Sequence, residues 1–152
     1  MLYLILSALI IFIDRISKAW VDNNFILGQS QTIISPFVDF TYVQNNGAAY
    51  SILQGKQTLL IVFTLLVMIG ILAYLIVYRK KISKLEQLSL SLILGGGIGN
   101  LIDRIILGYV IDFVNIHIIP VFNVADIGIT IGCILFAITI LFLDKNNERR
   151  KD

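Results

Sequence analysis

Long apolar runs separated by short polar segments set the pattern of this chain. "TLLIVFTLLVMIGILAYLIVY" (58–78) contains no charged residue, and "PVFNVADIGITIG" (120–132) opens a run in which Asp126 is the last charge before Asp144. Neither run alternates as a half-buried strand would. A helix crosses the hydrocarbon core of a bilayer with about 20 mostly apolar residues, and four stretches reach that length: about 2–21, 58–78, 87–106 and 124–143. The expected fold is an all-α integral membrane protein with four transmembrane helices. Between spans one and two, residues 22–57 carry turn residues at Asn23, Asn24, Gly28 and Pro36, and "IISPFVDFTYVQ" has β-type composition. A small sheet outside the cytoplasm is expected there. The tail "DKNNERRKD" (144–152) is polar, and 1–152 reads as a single membrane-embedded domain.

Composition agrees with the pattern. The chain is 57% hydrophobic and 14% charged, against about a quarter charged in soluble domains. "MLYLILSALIIFIDRISKAW" lacks the basic start and small-residue cleavage site of a secretory signal, so it is expected to remain as span one. Basic residues near span ends set orientation. Arg79, Lys80, Lys81 and Lys84 lie in one loop, and Lys145, Arg149, Arg150 and Lys151 in the tail, making eight of the twelve. Both termini are then cytoplasmic, while 22–57 and 107–122 face outward.

Several chemistries are excluded. A net charge of +2 gives no footprint for nucleic acid, and one cysteine, Cys133, makes no disulfide framework. With His117 the only histidine, a His/Cys zinc site is nearly ruled out. No His-Glu-x-x-His segment occurs, and Ser17 and Lys18 are helix neighbours that point apart. Lys18 and Trp20 read as interfacial anchors.

The four-span topology gathers scattered polar residues at one depth. Asp14 lies about 20 Å along span one at 1.5 Å per residue. Asn100, Asp103 and Arg104 end span three, Asp112 lies in the outer connection, and Asn123 and Asp126 begin span four. Asp126 reads either as a helix cap or as a chemical group. Gly95, Gly96, Gly97 and Gly99 read as close-approach residues between helices. Arg104 is expected to pair with Asp14 or Asp103. Asp112 is the only charge between Arg104 and Asp126, and apolar surroundings with a second carboxylate nearby would raise its pKa. Two such acids sharing a proton can activate water and polarise a carbonyl, although two unrelated interfacial acids would show the same spacing. Intramembrane acids also occur in proton- or ion-coupled carriers, and polar residues can hold together a non-enzymatic assembly subunit.

Four segments in order, "DRISK" (14–18), "NNGAAYS" (45–51), "GNLIDR…GYVIDF" (99–113) and "FNVAD" (122–126), resemble signal peptidase II, the bacterial lipoprotein signal peptidase. The resemblance covers essentially the whole chain. It implies an aspartic endopeptidase of the cytoplasmic membrane, with an outward-facing site, that cleaves diacylglyceryl-modified prolipoproteins just before the lipidated cysteine. By position, it implies Asp112 and Asp126 as the catalytic pair, supported by Asp14, Asn45, Gly47, Asn100, Asp103, Arg104 and Asn123. It implies no metal or organic cofactor, membrane lipids as surroundings, and inhibition by the globomycin class. A monomer is expected, though no sequence feature fixes the oligomeric state. Tyr50 stands where the family usually has Phe and Ile127 where Ser is common, and the stretch from Asp112 to Asp126 is short.

Overall fold

The computed structural model describes residues 2–47 and 56–143. The tail 144–152 and most of "NNGAAYS", including Tyr50, lie outside them. In chain order the elements are α1 (Leu2–Asn24), β1 (Ser30–Ile34), β2 (Val38–Asn45), α2 (Gln57–Tyr78), α3 (Lys84–Ile106), β3 (Val110–Asn115) and α4 (Val124–Ile138). A π-helical turn, Thr139–Leu143, continues α4, so the α-helix stops short of the expected end of span four.

Three of these helices are long and apolar enough to cross a membrane: α2, α3 and α4 with its continuation to Leu141. The protein is thus mostly helical and of membrane type. The fourth expected span, α1, has 23 residues, but Asp14, Arg15 and Lys18 interrupt it. Its charges are not distributed evenly. Asp14 and Lys18 are completely buried, while Leu4, Ile5, Leu9, Phe12, Ile13 and Ile16 are exposed. From Leu4 to Ile16 α1 thus turns an apolar face outward and its acid and lysine inward.

Contacts fix the relative directions of the helices. Ser7 Oγ of α1 donates to the Ser91 carbonyl at 2.8 Å, and further along both helices Lys18 donates to Asn100 Oδ1 at 2.9 Å, so α1 and α3 run the same way. On the other side, Gly96 faces Ala125 and Gly132 faces Ser89, so α3 and α4 run oppositely. α2 is also antiparallel to α3, with Met68 against Gly97 and Tyr74 Oη donating to Glu86 at 2.9 Å. Core residues Met68, Leu75, Leu90 and Leu94 fill that seam.

The glycine run allows α3 to sit at the centre. A Cβ on Gly96 would press on the Ala125 carbonyl and stand 2.8 Å from Ile129 Cγ1; one on Gly95 would lie 2.9 Å from the Ser7 carbonyl oxygen. Small residues are what let membrane helices come this close, as their sequence suggested.

The expected small sheet is present, and it draws on more of the chain than the segment between α1 and α2. It is antiparallel in the order β1-β2-β3, and its third strand comes from the connection between α3 and α4. That stretch, "VIDFVN", is short and mostly apolar, and so few residues do not separate strand from helix by periodicity. Its first four residues are buried. Val21, Phe25, Tyr42, Ile111 and Phe113 form the core beneath the sheet. Trp20, half exposed, meets Phe25 and Phe40 edge-on at 5.5 and 6.1 Å between ring centres.

The packing predicts a contrast between two identical substitutions. Gly96→Ala should destabilise the protein by about 1–3 kcal/mol, the usual cost of overpacking a filled interior. Gly70→Ala, where a Cβ meets nothing within 4 Å, should leave stability unchanged or slightly raised. Thermal unfolding of both variants in the same detergent checks this.

Candidate active site

At the sheet end of the bundle, a cavity of about 710 Å³ opens between β2, α2, α3 and α4. Asn45, Gly47, Asn100, Arg104, Asp112 and Asp126 line its polar end, and Phe63, Val67, Met68, Ile93 and Ile129 line the rest. Four chain segments therefore deliver the polar wall. β3 presents Asp112, opposite Val43 of β2. The first turn of α4 presents Asp126, the last turns of α3 present Asn100 and Arg104, and the end of β2 presents Asn45.

Three asparagine amides hold the two carboxylates, and each amide has its orientation set by a second bond. Asn123 is the N-cap of α4: its Oδ1 accepts from the Asp126 backbone N–H at 2.9 Å. Its Nδ2 must then face the other way, where it donates to Asp112 Oδ1 at 2.7 Å. Asn45 Oδ1 accepts from the Gly47 N–H at 3.0 Å, which turns its Nδ2 toward Asp112 Oδ2 at 2.9 Å. Asn100 Oδ1 accepts from Lys18 and from Asn123, so its Nδ2 donates to Asp126 Oδ1 at 2.8 Å. Asp126 Oδ2 completes a capping box by accepting from the Asn123 N–H at 3.2 Å. An amide's two ends differ only in donor and acceptor character, so these second bonds determine what each carboxylate meets.

The sequence pointed to Asp126 as a possible cap. The cap is Asn123, and Asp126 sits three residues on, where a carboxylate reaches back to the cap's own N–H. That arrangement uses one oxygen of Asp126 for the helix end.

Asp112 is buried. Burial, and next the negative charge of Asp126, push its carboxyl up to about 7, against the donor bonds from Asn45 and Asn123 that pull it down. The apolar setting of "VIDF" foreshadowed this direction.

Asp14 and Asp103 do not line the cavity. They lie behind it in a buried cluster with Lys18, whose Nζ is 2.8 Å from Asp14 Oδ2 and 2.9 Å from Asp103 Oδ2. Arg15 also pairs with Asp103. Two expectations are corrected here. Lys18 is no interfacial anchor, because its side chain is fully buried and its ammonium has three partners. Arg104 pairs with neither Asp14 nor Asp103. It reaches the Gly47 carbonyl at 3.4 Å, since both acids are already taken by cations from α1. The spacing of Asp14 and Lys18, four apart on a helix, was the available clue to the cluster.

The cluster also orders the backbone around the site. Asp14 Oδ1 accepts from the Ala125 N–H at 3.0 Å, at the start of α4, and Asp103 Oδ2 accepts from the Ile111 N–H at 3.2 Å, beside Asp112. A Cβ on Gly99 would stand 2.7 Å from Asp14 Oδ2, so glycine gives that carboxylate its room. His117 stands apart from the cavity, bonded to Asp39 at 3.1 Å. Among the described residues, no cluster of His, Cys, Asp and Glu could hold a metal ion.

The chain as a whole is similar to known proteins. The family model of signal peptidase (SPase) II matches residues 6–142. The lipoprotein signal peptidase of Syntrophomonas wolfei is 45% identical over 141 residues, covering 93% of each chain. That of Clostridium acetobutylicum is 43% identical over 143 residues, covering 91% of this chain and 92% of its own. Among solved structures, a bacterial membrane enzyme superimposes with a TM-score of 0.86 at 32% identity, covering 95% of this chain and 90% of that one.

The raised Asp112 pKa has a consequence for stability. Between pH about 4 and about 7 the folded protein holds a proton on Asp112 that the unfolded chain has lost, so this contribution is fully present below pH 4 and lost as pH rises through 7. Asp112→Asn lacks the effect. Its Tm relative to wild type should climb between pH 4 and 7 and level off above, as read by thermal unfolding across that range. A difference independent of pH would contradict the assignment.

Proposed function

The chain belongs to the signal peptidase II family, and on that membership we propose that it is an aspartic endopeptidase with Asp112 and Asp126 as its catalytic pair. Membership makes it a membrane peptidase of lipoprotein maturation. Its substrate is a prolipoprotein, and the proposed cut falls just before a diacylglyceryl-modified cysteine. The observation that carries the aspartic reading is the pair itself. Two carboxylates from β3 and α4 line one cavity, and amide donors with determined orientation hold each of them.

A dyad that shares one proton can hydrolyse a peptide bond without a metal. Asp112, with its carboxyl near neutrality, carries the proton and donates it to the scissile carbonyl oxygen. Asp126 removes a proton from water as the water oxygen adds to the carbonyl carbon. The resulting gem-diol returns one hydroxyl proton to Asp112 while Asp126 protonates the departing nitrogen. The carbon–nitrogen bond breaks, and the dyad regains its starting state. The pair titrates as one unit.

Neighbouring groups suit this chemistry. Arg104 lines the cavity, and its Nε has no partner among the described residues, which leaves a donor for a backbone carbonyl of the substrate. The apolar wall suits the leaving signal segment and the lipid. With the diacylglyceryl chains dissolved beside the helices, anchoring restricts the search for the scissile bond.

In this reading α1 is a fourth span, since its exposed face is apolar and it runs parallel to α3. The termini are cytoplasmic, as the basic α2–α3 loop argues, and the sheet and cavity face outward from the bacterial cytoplasmic membrane. A carrier would keep its acids near the midplane of broken helices, whereas Asp112 and Asp126 lie at one end of the bundle.

Two experiments test the proposal. Purified protein in lipid should cleave a diacylglyceryl-modified precursor, and folded Asp112→Asn and Asp126→Asn variants should each lose at least about 10²–10⁴-fold in rate, the usual contribution of a general acid or base. Near-normal turnover by either variant would remove that residue from the pair. For orientation, single cysteines replacing Gln31 and Lys81 in a Cys133→Ser background should behave oppositely in intact cells. An impermeant maleimide should label position 31 and spare position 81; the reverse pattern would invert the topology.

A further inference from the structure

The buried cluster behind the cavity contains one bond that charge balance does not require. Asp14 and Asp103 are two anions, and Lys18 and Arg15 are two cations. The cluster is neutral without any further partner. Yet the third proton of the Lys18 ammonium goes forward, to Asn100 Oδ1 at 2.9 Å. Asn100 in turn donates to Asp126 at 2.8 Å.

We propose that Lys18 is a positioning residue for the reaction, holding the Asn100 amide in the orientation that donates to Asp126. This rests on Asp126 being one of the catalytic pair. A lysine can only donate, so its partner on Asn100 must be the oxygen. With the amide reversed, its NH₂ would face the Lys18 ammonium, and its oxygen would face the Asp126 carboxylate, with repulsion at both ends. Asn123 also donates to Asn100 Oδ1, at 3.1 Å, but its hold is divided. Three acceptors surround the Asn123 Nδ2: Asp112 Oδ1 at 2.7 Å, Asn100 Oδ1 at 3.1 Å and the Ile111 carbonyl at 3.3 Å. An NH₂ group has two protons. Lys18 supplies an undivided donor, and a charged one, which makes a stronger bond than a neutral amide does.

The arrangement gives Asp126 a fixed donor on Oδ1, in addition to the Asn123 N–H on Oδ2. The carboxylate is then held from both sides while it accepts and returns a proton. Without Lys18, Asn100 can sample its reversed state, and a fraction of molecules would present a carbonyl oxygen to Asp126. The expected cost falls on turnover and leaves substrate binding alone, because Lys18 is fully buried and does not line the cavity.

Arg15 provides the control. It pairs with the same Asp103 and carries the same charge, but no bond links it to Asn100. The test compares wild type, Asp126→Asn, Lys18→Met and Arg15→Gln, each full-length in lipid, with the diacylglyceryl-modified precursor as substrate and thermal unfolding as the check on folding. Lys18→Met should lose about 10²-fold in kcat, the scale of a small misplacement of a catalytic group, with KM within about threefold of wild type. Arg15→Gln should keep kcat within about threefold. Should Lys18→Met not fold, Lys18→Met combined with Asp14→Asn removes the cation together with one anion, and the oxygen of the new amide still accepts from the Ala125 N–H. The same loss of kcat is expected of that double variant.

If Arg15→Gln loses as much kcat as the Lys18 variant, the cluster acts only through its charge balance and the inference is wrong. Near-normal kcat in a folded Lys18 variant overturns it as well. A wild type that leaves the precursor uncut, or an Asp126→Asn variant that cuts it normally, overturns the reading on which the inference rests.

Discussion

Charge buried between apolar helices is the constraint on which this structure depends. Removing a carboxylate or an ammonium from water costs several kcal/mol, and only close pairing with further hydrogen bonds offsets it. Asp14, Lys18 and Asp103 are fully buried, and the Lys18 ammonium meets the two carboxylates at 2.8 and 2.9 Å. For that to happen α1 must lie against α3 in one register and one direction. The same acids then tie down the start of α4 through Ala125 and the base of β3 through Ile111. A salt-bridge cluster of this kind adds little net stability over an apolar replacement. What it supplies here is a specified arrangement of four elements.

The cavity end of the bundle follows from that arrangement. Asp112 and Asp126 come from different elements, and nothing in either element alone would bring them to one cavity. β3 is held by its pairing with β2 and by Asp103, and α4 is held by Asp14 and by its own cap. The glycines of α3 contribute by omission, since side chains at Gly96 or Gly99 would push away the start of α4 or the Asp14 carboxylate. Close packing and buried charge are two aspects of one solution. The helices must touch for the ions to pair, and small residues let them touch.

Within the site, hydrogen-bond direction carries as much information as distance. Asn45, Asn100 and Asn123 all aim N–H groups at carboxylate oxygens, and each is prevented from turning around by a bond at its other end. At Asp112 the donor bonds pull the pKa down, whereas burial and the charge of Asp126 raise it. For Asp112 burial wins, and its carboxyl sits at about 7. Burial thus favours the protonated form of Asp112, and the amide donors fix where each carboxylate points.

Much of this was legible along the chain. The length and apolarity of the runs determined the helices, because only an uninterrupted backbone hydrogen-bond ladder survives in hydrocarbon. The candidate residues Asp112 and Asp126 drew notice because acids are costly beside hydrocarbon, and the family resemblance added Asn45; the structure brings all three to one cavity. β3 was missed because a short run of buried, mostly apolar residues has no period to read. Lys18 was misread because a lysine near a helix end is the same letter whether it reaches for water or for two carboxylates. Arg104 was given the wrong partner for the same reason, since sequence supplies candidates for pairing and not their occupancy. The sequence alone therefore determined solvent, the long helices and chemical inventory, which depend on residue type and local spacing. The tertiary structure decided which charges are buried, which acids are already paired and which way each amide faces, because those depend on neighbours that are distant in the chain.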